Sequence, residues 1–543
     1  MIGESTLLAS AFVVPLCMLL ACLWPRARDR MPSLLAFAPI PALAAVLLVA
    51  SDSSLAIGST RLHLTFALDR PGAMLLGVAA LLWIASGAYA SHYLRGRPNR
   101  GQFVVCWLMT LTGCLGVFLA VDMVGFYFLL ALLTLGASGL VIHHETPRAW
   151  RAGAVYIGLA LLAETLLLMA FVLLAAQIPG DSLLIRDAAA ALPTSPQRDL
   201  ILALLIAGLG MKAGLVPFHV WMPLAYSAAP TPASAVLSGA VVKASILGMI
   251  RFLPLETALP DWGKALAAAG LFAALYGVVI GITQRRPKVV LAYSSVSQMG
   301  FIVAVIGMGL VAGDGRAALA AAFYAAHHVL VKGALFLSVG VIAATGSRRL
   351  WPMLLPVAII AVGLGGLPLT GGALAKFVAD ELLGDGTAST IATLSAVGTT
   401  LLMLQFLRSL AKTASPDPQA TAAAGLVWPW LATAVVSLVV PWTLYLTVPA
   451  GTLPDPLSPG VLWKALWPVL LGAGLAIALW RRARWLPRIP AGDVVVAIDS
   501  GVQVTVAWGK KLEQMDSALR QWPAAGVSLL ILTIALGAAV FAR

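Results

Sequence analysis

Apolar positions in this chain come in long runs rather than in alternating or striped patterns. Sixteen runs stand out, near residues 6–24, 34–50, 72–92, 103–121, 123–143, 152–176, 200–222, 232–253, 264–282, 289–312, 317–345, 352–384, 388–411, 426–447, 461–480 and 523–541. In lipid, backbone must satisfy its own hydrogen bonds, which leaves helices or a closed barrel. The run lengths and the absence of a two-residue period select helices. The predicted fold class is therefore an all-α polytopic membrane protein of about sixteen transmembrane helices.

Two of the runs are interrupted. The seventh carries Gly210, Gly214 and Pro217, and the twelfth reads GLGGLPLTGG at 363–372. Broken spans in corresponding halves of a chain point to inverted repeats, here spans 4–8 (103–253) and spans 9–13 (264–411). Around them the pattern predicts an N-terminal part at 1–102, with a short external hairpin in its 51–71 loop, and helices 14 and 15 within 412–488. An amphipathic helix is expected at 489–522, lying along the cytoplasmic face or packing equally well on a partner subunit, and a last helix at 523–543.

Composition agrees with this pattern. The chain has 543 residues, 60% of them hydrophobic and 10% charged, against roughly 25% charged in soluble domains. Its net charge of +13 would suit a nucleic-acid partner, but the basic residues cluster between the apolar runs, as in RARDR (26–30) and RGRPNR (95–100). Odd-numbered loops hold 22 Lys and Arg and even-numbered loops hold 8. That bias places the odd loops in the cytoplasm and both termini outside. It predicts a multi-pass protein of a bacterial cytoplasmic membrane, with lipid and no nucleic acid as partner. Cys17, Cys22, Cys106 and Cys114 lie in apolar runs without metal-type spacing, and no cleavable signal is evident.

Ionisable residues deep in spans are few: Glu164, Lys212, Lys243, Lys332 and Lys376, with His327 and His328 one turn before Lys332 and Asp380 four residues after Lys376. Lys376, near a helix end, can snorkel to the interface, and Glu164 can serve as a structural counter-ion. As a set they suggest more. Amines in low dielectric cannot all stay charged, and each gains or loses a proton as an acid approaches or withdraws. Histidine adds a carrier that titrates near neutrality. Both broken spans carry a lysine at the break, where irregular backbone is tolerated if it lines a polar cavity or is buried in protein.

At these residues the chain resembles a known family. KAGLVPFHVWMPLAYSAAPTPASAVLSGAVVKASILGMIRF (212–252), RRPKVVLAYSSVSQMGFI (285–302), AAFYAAHHVLVKGALFLSVGVI (321–342) and GLPLTGGALAKF (366–377) follow the order of the antiporter-like subunits. These subunits are shared by respiratory complex I, membrane-bound hydrogenases and multisubunit sodium/proton antiporters. The resemblance runs from about 65 to 410. It implies two inverted five-helix repeats, broken helices 7 and 12, and a hydrated polar axis at the membrane midplane. Lys212 matches the family's helix-7 lysine, Lys243 the central helix-8 position, His328 and Lys332 the helix-11 pair, Lys376 the helix-12 lysine and Glu164 an acidic helix-6 position. A lysine in SGAVVK looks most like the hydrogenase and antiporter D-type branch. One departure stands out: Leu130, in FYFLLALL (126–133), occupies the place of the family's helix-5 glutamate.

The resemblance implies a proton-translocating subunit of a multisubunit energy-converting membrane complex. Other integral subunits, and a peripheral redox or carbon-hydrating module, would be its partners. The pathway would comprise Glu164, Lys212, Lys243, His327, His328, Lys332, Lys376 and Asp380. The chain shows no CxxC, Gly-rich nucleotide loop or axial-ligand pattern, so no cofactor, metal or catalytic centre of its own is expected; any enzymatic identity would be as a subunit of a translocase of the NADH:quinone oxidoreductase or hydrogenase kind. Alternatives are a partner subunit of an inorganic-carbon uptake complex, a sodium/proton antiporter subunit, an independent secondary transporter, and a structural subunit with a degenerate channel.

Overall fold

A computed structural model of the chain describes residues 2–493 apart from 51–52, 60–61, 179–181, 449–454, 482–486 and 488, and also Glu513. The chain divides into two compact units, Met1–Ala491 and Gly492–Arg543. The expected lateral helix at 489–522 and the last helix at 523–543 fall almost wholly outside the described residues.

The first unit is helical. In chain order it contains α1 (Ile2–Ala21), α2 (Ile40–Leu48), α3 (Arg70–Tyr93), α4 (Arg100–Leu119), α5 (Met123–Ile142) and α6 (Pro147–Ala175). Next come α7 in two halves (Arg198–Ala213 and Trp221–Ala228) and α8 (Thr231–Phe252). Then follow α9 (Pro260–Gly281), α10 (Pro287–Ala312) and α11 (Arg316–Ala343). α12 is again in two halves (Leu350–Gly365 and Gly371–Leu383), before α13 (Thr387–Ala411), α14 (Ala424–Tyr445) and α15 (Pro459–Arg481). Fourteen helical segments among the described residues are long and apolar enough to cross a membrane. The protein is an all-α, multi-pass membrane protein.

The expected second span differs from its sequence pattern. Pro39 and Pro41 lie within the run, and only the nine residues of α2 are α-helical, yet the stretch still runs alongside α3, with Leu35 against Gly87 and Val46 against Gly77. Between α2 and α3, strands β1 (Ser54–Ser59) and β2 (Leu62–Ala67) form an antiparallel hairpin. Asp122, at the start of α5, fixes it: its carboxylate accepts from Gly125 N at 2.6 Å, capping the helix, and from Thr65 N at 2.7 Å.

The two most extensive helix pairings are α9 with α10 and α4 with α5, corresponding pairs of the two five-helix runs. Both close on glycine. A Cβ at Gly270 would lie 2.5 Å from the Gly300 carbonyl oxygen, and one at Gly136 would lie 2.6 Å from Thr110 N. Lipid offers no hydrophobic drive for helix association, so such close backbone contact supplies the attraction. α8 and α10 are buried along their whole apolar windows, which makes them the interior around which the polar residues gather.

Candidate functional site

The polar interior begins at the break in α7. Gly214, at φ +76°, ends the first half of the helix, and Leu215 N returns to the Gly210 carbonyl at 2.9 Å. The Met211 carbonyl accepts from Gly214 N at 3.1 Å and from the Trp221 indole at 3.0 Å. Lys212 sits in the last turn before the break. Its amine donates to Glu164 Oε1 of α6 at 2.8 Å and to Thr134 Oγ1 of α5 at 2.9 Å. Thr134 Oγ1 lies 2.6 Å from the same carboxylate oxygen and 3.0 Å from the Leu130 carbonyl. Glu164 and Lys212 are thus a buried ion pair organised by one hydroxyl.

A small cavity of about 30 Å³, lined by Leu130, Tyr156, Lys212, Trp221, Val241 and Ser245 among others, lies between Lys212 and the middle of α8. There α8 widens: Leu237–Val241 forms a π-turn immediately before Lys243. A π-bulge loosens the backbone ladder and commonly marks a functional position. Lys243, wholly buried, donates to the Ser238 carbonyl in that turn at 2.8 Å and lies 2.5 Å from His328 Nδ1 of α11. Ser238 Oγ in turn meets Ser295 Oγ of α10 at 2.9 Å. One turn beyond His328, the Lys332 amine donates to the Leu291 carbonyl of α10 at 2.9 Å.

His327 and His328 are adjacent, and a helix turns about 100° per residue, so they face different neighbours. His328 faces α8. His327 faces the break in α12, where a Cβ at Gly371 would lie 2.6 Å from its Nδ1. Neither ring nitrogen of His327 has a hydrogen-bonding protein partner, nor do His328 Nε2 and the Ser294 and Ser297 hydroxyls. Buried polar atoms of this kind are ordinarily satisfied by water.

The α12 break repeats the chemistry of the α7 break. Gly366 takes φ +104°, Thr370 Oγ1 donates to the Leu367 and Gly363 carbonyls, and the Leu369 carbonyl accepts from the Trp442 indole at 3.1 Å. The Lys376 amine turns back to the Gly365 carbonyl. Asp380, one turn further, pairs with Lys464 of α15 at 2.9 Å. Lys376, Asp380 and Lys464 share the wall of a cavity of about 90 Å³.

Residues 120–404 match the family described as NADH:quinone oxidoreductase/Mrp antiporter, transmembrane region, more than half of the chain. The protein belongs to this family. Over 294 residues it is 31% identical to hydrogenase-4 component B of Escherichia coli (strain K12), covering 51% of this chain and 43% of that one. With NADH-quinone oxidoreductase subunit N of Desulforudis audaxviator (strain MP104C) it shares 34% identity over 289 residues, covering 51% and 56%. The chain thus spans about half the length of these curated relatives. The solved Mrp complex from Dietzia sp. DQ12-45-1b superposes on all of this chain and 63% of its own chain, with a TM-score of 0.78 at 22% identity. That likeness shows the fold.

This member of the antiporter-like family gathers seven of the eight sequence-predicted residues into its interior. The eighth, Asp380, lies at the edge and pairs across to α15. Four participants escaped sequence reading. Thr134 carries no signal of its own, because a threonine in an apolar helix usually back-bonds its own turn. Ser238 and Ser295 looked like ordinary small residues. Lys464 sits near the end of a span, where lysines normally snorkel. The mid-span cluster SSVSQ at 294–298 was a readable sign. Gln298 donates to Thr399 at 3.0 Å and accepts from the Tyr324 hydroxyl at 2.7 Å, tying α10 to α13 and α11.

Proposed function

We propose that this chain is a proton-translocating subunit of a larger membrane complex, driven by a partner module and carrying no redox centre itself. One observation supports the reading above others: the buried series Glu164–Lys212, Lys243–His328, His327 and Lys376 crosses the interior from the α7 break to the α12 break. Each member is either in hydrogen-bond contact with a neighbour or borders a cavity or an unsatisfied polar atom. Protons pass along such a series when each amine or imidazole can lose its proton to the next group, through water where no direct contact exists.

The Glu164–Lys212 pair bears on Leu130. The missing helix-5 carboxylate is supplied from α6, with Thr134, one turn after Leu130, joining the two helices. This favours an active first half over a degenerate one. The relatives' printed names, a hydrogenase component and a quinone oxidoreductase subunit, favour a redox or ion-gradient partner. On the charge bias, the loops after α3, α5, α9, α11 and α13 are cytoplasmic.

The test is Lys243→Ala in inverted membrane vesicles that hold the native complex, with acidification followed by a pH-sensitive dye and assembly followed by native electrophoresis. Proton uptake is expected to fall by roughly 10²-fold, the scale of losing a positioned proton carrier, with the complex intact. Unchanged uptake with intact assembly would overturn the reading.

A further inference from the structure

The outer cavity at the end of the series contains a charge arrangement that the proposed function alone does not require. It is walled by α12, α13 and α15, and three ionisable side chains point into it: Lys376, Asp380 and Lys464. Two are amines and one is a carboxylate. The carboxylate is engaged by Lys464 at 2.9 Å, and the carbonyl freed by the helix break, Gly365, is engaged by Lys376. Of the remaining side chains around the cavity, Thr393 contributes one hydroxyl, and the rest are apolar or aromatic, including Phe301, Phe377 and Trp467.

Sodium and protons make different demands on such a place. A hard cation stripped of water needs several oxygen ligands around it, preferably anionic or carbonyl. Here the strongest oxygens are each bonded to an ammonium, and the cavity has a net positive charge whenever both amines are protonated. A proton needs only one acceptor at a time, and passes from an amine to a carboxylate or a water without an oxygen cage. Lys464 also holds Asp380 on the α15 side of the cavity, so Asp380 cannot give its full charge to Lys376.

We propose that Lys464 is a specificity-determining residue: it keeps the outer mouth of the pathway closed to sodium, and it favours release of the proton from Lys376. This rests on the proposed function for what is conducted, but not for the charge of the mouth. Asp380 thereby serves as a tethered acceptor instead of a cation ligand. α15 lies beyond residues 120–404, over which the chain matches the family, so the family match does not itself account for Lys464.

Two measurements separate this inference from the reading it rests on. In the first, Thr393→Cys in the full chain in native membranes is reacted with an anionic sulfonate and a cationic trimethylammonium thiosulfonate, and labelling at that site is followed by mass spectrometry. The anionic reagent is expected to react about tenfold faster, as a locally positive cleft concentrates anions, and Lys464→Glu is expected to reverse the order while Lys464→Arg keeps it. Equal rates, or an order indifferent to Lys464, would overturn the proposal whether or not the chain conducts protons. In the second, vesicle acidification by the native complex is measured with and without sodium. The wild type and Lys464→Arg are expected to be insensitive to sodium, and Lys464→Glu to become sodium-sensitive with accompanying ²²Na⁺ uptake. Sodium uptake through the wild-type chain, abolished by Lys376→Ala, would overturn the proposal; absence of proton uptake by the wild type would overturn the proposed function and leave the labelling result to stand or fall alone.

Discussion

One hydroxyl carries much of the first half of the molecule. Thr134 accepts from Lys212, and its single proton can go either to Glu164 Oε1 at 2.6 Å or to the Leu130 carbonyl at 3.0 Å. With Glu164 ionised, the proton favours the carboxylate; with Glu164 protonated, it can swing to the carbonyl. The rotation would let the pair change charge without moving a helix. Thr134→Val keeps the shape and removes that option, leaving Lys212 and Glu164 each short of one hydrogen bond. The loss of about 1–3 kcal/mol that this represents is expected to slow vesicle acidification about tenfold or more, with Thr134→Ser restoring most of it. A second expectation follows from the same geometry: Glu164→Gln abolishes uptake, and adding Leu130→Glu recovers part of it. At this scale the sequence was partly legible. The lysines and histidines announced themselves by their cost in an apolar run, because charge in lipid is expensive. Thr134 did not, since a hydroxyl that bonds its own helix is indistinguishable in sequence from one that bridges two others.

Helix elements divide by how strongly their sequence constrains them. The breaks in α7 and α12 were readable because glycine and proline cannot sustain the helical ladder and few other residues tolerate the left-handed turn. The widened turn in α8 was not. SGAVV has no unusual residue, and the π-turn is recognisable only beside the contacts of Lys243 with His328 and with the Ser238 carbonyl. Nor was the shortness of α2 predicted, although Pro39 and Pro41 lie in plain view, because hydropathy over a window averages across them. The α9–α10 seam is a third case. Its glycines at 263, 270 and 277 recur every seventh residue, but their purpose shows only when Gly270 is found against the Gly300 backbone. Gly270→Val is expected to destabilise the folded chain by ~1–3 kcal/mol, read as a lower melting temperature in detergent. Gly158→Ala, where an added Cβ meets nothing, is the neutral control. The C-terminal end of α5 adds a pH dependence. His143 packs edge-on to Phe103, and burial, then His144 and Arg97, hold its pKa at about 4 rather than 6.5. Above that ordinary value the ring is neutral whether folded or not, and contributes no pH dependence. As pH falls below it, the unfolded chain takes up a proton that the folded chain resists, and stability declines until about pH 4. His143→Phe is expected to flatten that decline in thermal unfolding measured between neutral pH and about pH 4.5.

Across the whole molecule, direction matters more than any one contact, because a proton pathway has meaning only when its two mouths are assigned to sides. The bias of basic residues toward odd-numbered loops rests on sixteen alternating spans, and the short α2 does not break the alternation: Ser53 Oγ meets Glu4 Oε2 at the start of α1 at 2.8 Å, while Arg28, past the other end of α1, lies against Gly101. From α3 onward the alternation rests on helices long and apolar enough to cross. The loops after α3, α5, α9 and α11 hold their arginines on one face in alternation with poorly charged turns on the other, and that alternation depends only on the helices between them, all of which are long enough to cross. Positive charge retained in the cytoplasm therefore puts Pro98 and Ser347 inside, and Thr257 and Asp385 outside. The Asp380 mouth then lies on the outer side, because it is at the end of α12 that leads to Asp385. Single cysteines at these four exposed positions give the measurement, with a membrane-impermeant maleimide applied to intact cells and then to permeabilised ones. Thr257→Cys and Asp385→Cys are expected to label in intact cells, and Pro98→Cys and Ser347→Cys only after permeabilisation. If the pattern is reversed, Lys376 and Asp380 become the entry for cytoplasmic protons and Lys464 guards uptake rather than release. The same buried series would then run the opposite way.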